Sequence, residues 1–128
     1  MSQRDDTGFK AFAADGAIAL YSRVNLNSDG TIGEAGLAER CIGTLQTTAA
    51  LAAGDVVSVK LYTASGTHKV RAKEACSAGA ILYTETGGEV QDTDQATALV
   101  WGTALEAATA EDDIIEALPG IQPDIAST

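Results

Sequence analysis

The apolar residues of this chain occur in short runs separated by turn-forming residues, and this pattern constrains the fold more than any other feature. Residues 57–61 alternate between apolar and polar side chains, which is typical of a half-buried strand. The next segment, residues 63–66, favours a turn because it contains Ser and Gly. The pattern therefore predicts a hairpin in which residues 67–72 return as the paired strand.

Further strands are predicted along the second half of the chain. Residues 80–85 and 89–91 form a second candidate hairpin, because the Gly pair at 87–88 supplies the positive φ of a tight turn. Two later apolar runs, residues 98–105 and 114–118, are also strand candidates. Helical signals are weak. The sequence thus predicts an all-β fold, either a small β-barrel or a β-sandwich of short strands, with little helix.

A weak internal repeat supports the same fold class. Residues 41–44 (CIGT) are similar to residues 100–103 (VWGT), and a turn followed by an apolar strand recurs elsewhere. Repeated turn-and-strand units indicate a barrel or sandwich, and their irregular spacing argues against a solenoid. The shorter copies of the repeat are residues 14–18, 53–57, 78–82 and 110–115.

The length of 128 residues suits one compact domain. We expect a flexible N-terminal arm over residues 1–10, a single β-rich domain over residues 11–118 and an irregular C-terminal tail over residues 119–128. Alanine supplies 24 of the apolar residues, so the core is thin and association between copies would stabilise it. No apolar run approaches the roughly 18 residues of a membrane span, and no membrane partner is expected.

Charge is distributed unevenly along the chain. The net charge is −10, and all eight Lys and Arg residues lie within residues 1–73, beside seven acidic residues. Residues 74–128 contain eleven acidic residues and no cation. This excess of acid disfavours nucleic-acid binding. The acidic half is either a solubilising surface or a docking surface for a basic partner.

Residue types that carry chemistry are sparse. Cys41 and Cys76 are expected to be reduced thiols that behave as small core residues. His68 is expected on a strand with its side chain facing solvent, and Trp101 is expected in the core. No combination of nucleophile, base and orienting acid is apparent, so we predict no catalytic residues, no enzymatic activity and no cofactor.

One loop deserves consideration as a metal site. Asn25, Asn27 and Asp29 place oxygen atoms at alternate positions before Gly30, as in an EF-hand loop. The closing position is Gly36, where that loop requires a bidentate Glu. A polar turn between two strands is therefore the favoured interpretation.

Several segments share a loose pattern of Ala, Gly and Val: residues 54–59, 70–83, 87–90 and 101–107, the last followed by an acidic turn and Ile114. Together these segments resemble the small capsid decoration proteins of tailed bacteriophages, also called cement or head-stabilising proteins. The resemblance covers residues 14–118. It implies a β-rich fold, frequent trimerisation and binding to the outer face of an assembled capsid.

The resulting expectation is a non-enzymatic protein, made in the host cytoplasm, that binds the outer surface of an assembled phage head and stabilises it. It would bridge subunits of the major capsid protein and associate with itself as a homotrimer. The alternatives are a β-barrel module that binds calcium or a glycan through residues 25–29 and Trp101, and another virion component such as a head fibre or tail-tube protein. The expected capsid contacts are Arg4, Phe9, Lys10, Phe12, Lys69 and Arg71.

Overall fold

A computed structural model describes residues 7–120 and shows an all-β protein, as predicted. Within these residues the chain forms ten short strands, and its helical content is one turn of 3-10 helix at Thr86–Gly88. The strands are β1 (Phe9–Ala13), β2 (Arg23–Leu26), β3 (Ile32–Glu34), β4 (Gly43–Leu45), β5 (Val56–Leu61), β6 (His68–Arg71), β7 (Ile81–Thr84), β8 (Val90–Gln91), β9 (Val100–Ala104) and β10 (Ile114–Pro119).

The strands form two antiparallel sheets with the same topology. The first sheet has the order β1-β5-β4-β2-β3, and the second has the order β6-β10-β9-β7-β8. The isolated bridges outside the strands are also equivalent in the two sheets. Ala14 bridges Ile32 in the first sheet, and Ala72 bridges Val90 in the second, 58 positions further along the chain. The described chain is thus a tandem duplication. We call residues 7–62 repeat one and residues 65–120 repeat two.

Each repeat buries its own apolar core, and the two cores are built from equivalent positions. Few of these positions carry the same residue, so the duplication preserves burial rather than identity. The core of repeat two also includes Val70 and Trp101. The equivalent pairs are Ala14/Ala72, Ile18/Cys76, Val24/Leu82, Ile32/Val90, Leu45/Ala104, Ala50/Ala108, Val57/Ile115 and Val59/Ala117.

A turn before the last strand of each repeat has the same hydrogen bonds. Asp55 Oδ2 accepts the N–H groups of residues 51 and 52, and Asp113 Oδ2 accepts those of residues 109 and 110. The residue before each aspartate has a positive φ, +93° at Gly54 and +69° at Asp112. The sequence similarities at 41–44/100–103 and 53–57/110–115 therefore join equivalent positions of the two repeats. Residues 14–18 and 78–82 are similar in sequence but do not occupy equivalent positions.

The predicted pairing of β5 with β6 is wrong. Strand β5 lies between β1 and β4, so both of its edges are already occupied, and β6 pairs with β10 in the other sheet. The turn at residues 63–66 consequently joins the two repeats. The predicted hairpin of β7 and β8 is confirmed, with Tyr83 opposite Gln91, and Gly87 and Gly88 both have positive φ.

The ordered fold begins before the expected end of the N-terminal arm. Phe9 and Lys10 pair with Lys60 and Val59 as part of β1, so they belong to the first sheet. Residues 1–6 and 121–128, which include most of the expected arm and tail, lie outside the described residues. Within residues 7–120, no helix has the length and apolar character needed to cross a membrane.

Candidate contact surfaces and the junction between the repeats

The predicted capsid contacts lie on β1 and β6, which are equivalent edge strands of the two sheets. Lys69 is exposed and Phe9 is 36% exposed, whereas Lys10, Phe12 and Arg71 are half-buried. Arg4 lies outside the described residues. The sequence therefore selected two structurally equivalent edges without any information about the duplication.

On β1, Phe9 and Phe12 have different environments. Phe12 packs against the core of repeat one, so its contribution is structural. Phe9 lies on the opposite side of the strand, where Lys60 Nζ is 6.0 Å from its ring centroid, within the range of a cation–π contact. Lys60 Nζ also donates to the carbonyl of Thr67. Lys60 thus links the exposed side of β1 to the start of β6.

On β6, the backbone edge is covered by a side chain from repeat one. The Gln46 amide accepts the N–H of Lys69 at 2.9 Å and donates to its carbonyl at 2.8 Å. This arrangement satisfies the edge and leaves the Lys69 side chain in solvent. Arg71 instead donates to Ser22 Oγ at 3.2 Å and to the carbonyl of Gly87 at 3.1 Å. Its guanidinium therefore joins the two repeats.

Three exposed apolar side chains on the second sheet were missed by sequence reasoning. Ile114 is 40% exposed, and Leu105 and Leu118 are each 44% exposed, although they lie in or beside regular strands. Within β10, Ile115 and Ala117 are buried, so Ile114 and Leu118 occupy the opposite face of the same strand, on either side of Glu116. The signal that could have revealed them is that apolar residues occur on both faces of β10.

Arg23 lies at the centre of the junction between the repeats and is fully buried. Its Nε donates to the carbonyl of Glu89 at 2.9 Å, its Nη2 donates to the carbonyl of Glu85, and Nη2 also reaches the carbonyl of Ala35 at 3.4 Å. Burial is the main cause that lowers the pKa of Arg23, and nearby Cys41 partly opposes it. The guanidinium therefore bonds loops of both repeats.

His68 is buried in the same junction, so the prediction of a solvent-facing histidine is wrong. Its side chain lies on the face of β6 that meets β4, where Nδ1 is 2.7 Å from Thr44 Oγ1. The ring also packs edge-on against Trp101, whose predicted burial in the core is confirmed. Burial, followed by the charge of Lys60, lowers the pKa of His68 to about 4. The imidazole is therefore neutral near pH 7.

The pKa of Glu89 is shifted upwards, in the opposite direction to that of His68. Burial raises its pKa to about 7, and a hydrogen bond with Asp112 adds to this effect, while Arg71 and Lys73 oppose it. Arg71 Nη1 lies 4.0 Å from Asp112 Oδ1. The carboxyl groups of Glu89 and Asp112 are neighbours because the loop before β8 lies against the turn before β10, both in repeat two.

The loop that was weighed as a metal site, and interpreted as a polar turn, forms the turn between β2 and β3. Asn27 Nδ2 donates to Asp15 Oδ2 at 2.8 Å, and Asn25 Nδ2 donates to Glu39 Oε2 at 2.9 Å. Asp29 Oδ1 accepts the N–H and the hydroxyl of Thr31, and these bonds lower the Asp29 pKa. The polar side chains thus stabilise the turn through mutual hydrogen bonds. Within the described residues, no cluster of three or more His, Cys, Asp or Glu residues could hold a metal ion.

Both cysteines are free thiols. Cys76 is part of the core of repeat two, whereas Cys41 is half-buried and lines an apolar cavity of about 410 Å³ with Tyr62 and Trp101. Burial is the main cause that raises the pKa of both thiols. Each is consequently protonated and weakly nucleophilic near pH 7.

The architecture defines a class of duplicated all-β proteins, with two five-stranded antiparallel sheets in tandem. No protein-family model and no curated protein matches the chain. Among solved structures, the chain is similar to the N base of the head fibre gp8.5 of bacteriophage phi29, with a TM-score of 0.67 and 20% sequence identity. The match covers 88% of this chain and 92% of that one, so the likeness in fold includes both repeats.

Proposed function

We propose that this protein is a structural component of a bacteriophage virion and is attached to the head. The observation that carries the proposal is the fold shared with the N base of a phage head fibre over nearly the whole of both chains. The resemblance of residues 14–118 to capsid decoration proteins, which rests on sequence alone, supports the same location.

In its finer form, the proposal is that the protein binds the outer surface of the assembled head and bridges major capsid subunits. Binding to the assembled lattice and not to free subunits would shift the equilibrium towards the intact shell. Phe9 and Lys69 are the described residues best suited to this contact, because both side chains are accessible on equivalent edge strands. Lys10 lies beside Phe9 and is partly accessible.

The experiment is co-sedimentation of the full chain with empty, expanded heads of the phage that encodes it. We expect the wild-type chain to co-sediment and the double variant F9A/K69E to lose at least about tenfold in affinity, equivalent to about 1.4 kcal/mol. Arg40→Glu is the control, because Arg40 is an exposed cation away from β1 and β6. Absence of the wild-type chain from both these pellets and purified virions would overturn the proposal.

The N-terminal arm requires a separate variant. Removing residues 1–10 would delete part of β1, so a truncation of residues 1–6 is the cleaner test of Arg4. If the arm contributes to binding, this truncation weakens co-sedimentation while the melting temperature stays unchanged. Undiminished binding would restrict the contact to the two edge strands.

A second candidate is the base of a head fibre, which is favoured by the identity of the similar structure. The two roles differ in what the virion loses without the protein. Heads that lack a decoration protein should release DNA at a lower temperature than wild-type heads, whereas heads that lack a fibre base should keep their thermal stability and lose a projecting fibre in electron micrographs.

The contact between the repeats suggests how copies associate. Arg23 and Thr44 of repeat one are fully buried, whereas their counterparts Ile81 and Thr103 are half-buried. Glu85 of repeat two is buried, whereas its counterpart, Asn27, is half-buried. The two repeats therefore use different faces at their shared junction, and the equivalent of each face on the other repeat is less buried.

We propose that a second copy covers these equivalent faces, so that the internal junction is repeated between chains. Head-to-tail contacts of this kind close into a ring when the rotation per subunit permits it. Leu118, 44% exposed, lies opposite Thr103 in the second sheet. An apolar side chain there favours a protein partner over solvent. The homotrimer expected from the sequence would be such a ring.

Sedimentation equilibrium of the purified chain tests this association. We expect a trimer, and we expect Leu118→Lys to yield monomers because it places a charge in the contact. Leu51→Lys is the matched control, because Leu51 is 83% exposed and lies in a loop of repeat one. A wild-type monomer at concentrations up to about 100 μM, or equal effects of the two variants, would contradict the proposed contact.

A further inference from the structure

A polar cavity of about 450 Å³ lies at the junction of the repeats. It shares Lys69 with the proposed capsid contact, and its other residues have no part in that proposal. Its lining residues come from loops and strands that are distant in sequence, so no sequence motif predicts the cavity. The lining residues are Tyr21, Gln46, Thr67, His68, Lys69, Glu106 and Glu116.

Tyr21 occupies this cavity at a conformational cost. Its φ is +67°, in the left-handed region, and its counterpart in repeat two is Gly79 with a φ of +86°. Both residues make the same backbone bond, from Tyr21 to the carbonyl of Leu45 and from Gly79 to the carbonyl of Ala104, each at 2.8 Å. Since glycine adopts this conformation without strain, the turn itself does not require a tyrosine. The tyrosine therefore has a strained backbone at the position where its side chain lines the cavity.

Two carboxylates in the cavity are held in place by the protein. Glu106 Oε1 accepts the N–H of Glu116 at 2.7 Å, and Glu116 Oε2 accepts the hydroxyl of Thr67 at 2.6 Å. One oxygen of each carboxylate is thereby fixed, which orients the second oxygen as an acceptor. Lys69 supplies a donor beside them.

His68 contributes a buried polar atom that lacks a partner. Its Nδ1 is engaged with Thr44, while its Nε2 is inaccessible and has no hydrogen-bond partner within residues 7–120. An unsatisfied buried polar atom costs free energy. The ring therefore forms part of the cavity wall without offering a nitrogen to a ligand, and the polar groups that face the cavity come from the other lining residues.

We propose that this cavity is a binding site for a neutral saccharide. A sugar hydroxyl both donates and accepts, so it suits a lining of fixed carboxylates and an ammonium group. The apolar face of a sugar ring can pack against Tyr21. The two carboxylates disfavour phosphate or sulfate, and the polar lining disfavours an apolar ligand. The proposal does not rest on attachment to a phage head, although Lys69 is common to both proposed contacts.

The test is an NMR titration of the ¹⁵N-labelled full chain with glucose, galactose, N-acetylglucosamine and short oligomers of each. We expect at least one of these probes to shift the amide signals of Lys69, Glu106 and Glu116 in a saturable manner, with a Kd in the range of about 0.1 to 10 mM for a shallow site.

Two variants and one control make the test specific. Tyr21→Gly reproduces the residue of repeat two, so it should keep the fold and its melting temperature while weakening binding at least about tenfold. Glu106→Gln should also weaken binding, because an amide replaces a carboxylate while its oxygen can still accept the N–H of Glu116. Glu34→Gln, at an exposed position of β3, should bind as the wild type does.

Three results would overturn the proposal. The first is that none of the saccharides shifts these amides at about 50 mM, five times the weakest expected Kd. The second is that both Tyr21→Gly and Glu106→Gln bind with unchanged affinity. The third is that a polyamine such as spermidine, added as a comparison probe, binds these residues and the saccharides do not, which would assign the carboxylates to a cation.

Discussion

At the scale of single residues, two buried ionisable groups give the fold opposite responses to pH. The pKa of His68 is lowered to about 4, so the unfolded chain binds the proton more tightly and stability is lost as pH falls from 6.5 to 4. The pKa of Glu89 is raised to about 7, so the folded chain binds the proton more tightly and stability is lost as pH rises from 4.5 to 7. The two effects oppose each other over the shared range.

Glu89→Gln should separate these effects, because glutamine resembles the protonated carboxyl and does not titrate. We expect the stability of this variant relative to the wild type to increase between pH 4.5 and 7, by at most about 3 kcal/mol. Urea unfolding at four pH values across this range measures the difference. Glu74→Gln, at an exposed site, is the control, and a difference that does not vary with pH would contradict the assigned pKa.

At the scale of strands, a close backbone approach explains the sequence similarity between residues 41–44 and 100–103. A Cβ atom at Gly43 would lie 2.2 Å from the carbonyl oxygen of Lys60, and one at Gly102 would lie 2.2 Å from that of Leu118. These contacts join β4 to β5 and β9 to β10, so the same restriction acts at equivalent points of both sheets. The similarity is visible in the sequence, but its steric cause requires the paired strands.

Gly102→Ala should therefore destabilise the protein by about 2 to 4 kcal/mol, because the neighbouring backbone must move to admit the methyl group. Gly16→Ala is the matched control, since no atom lies within 4 Å of the added Cβ and its φ is not positive. Chemical denaturation of both variants measures the contrast. Equal stability of the two variants would show that the strands separate without cost.

At the scale of the whole molecule, two apolar cores are joined by a polar junction around Arg23. Each core is formed within one repeat, whereas the hydrogen bonds of Arg23 reach the carbonyls of Glu85 and Glu89 in repeat two. Cys41 and Tyr62 of repeat one also pack against the core of repeat two, so the unfolding of one repeat is coupled to that of the other through polar and apolar contacts.

Arg23→Met should reduce both stability and cooperativity. It leaves buried carbonyls without their donor, and we expect a loss of about 3 to 5 kcal/mol. Because each repeat keeps its own core, we also expect the single calorimetric transition to broaden or split. Scanning calorimetry with Arg40→Met as the exposed control provides the measurement. A sharp single transition at an unchanged temperature would mean that Arg23 does not couple the repeats.

The sequence determined the local structure of this protein. Alternating apolar residues and turn-forming glycines predicted the all-β class, the hairpin of β7 and β8 and the burial of Trp101, because strand periodicity and turn geometry depend on neighbouring residues. The prominent cations of β6 and the aromatic residues of β1 also directed attention to the two edge strands.

The tertiary structure decided which strands pair and what their faces meet. Periodicity assigns a residue to a face of a strand, but it does not identify the partner of that face, so β5 and β6 were paired incorrectly and His68 was placed in solvent. The cavity that contains Tyr21 and Glu116 was hidden for the same reason. Its residues come together only when the second repeat packs against the first, and that packing depends on contacts between residues far apart in the chain.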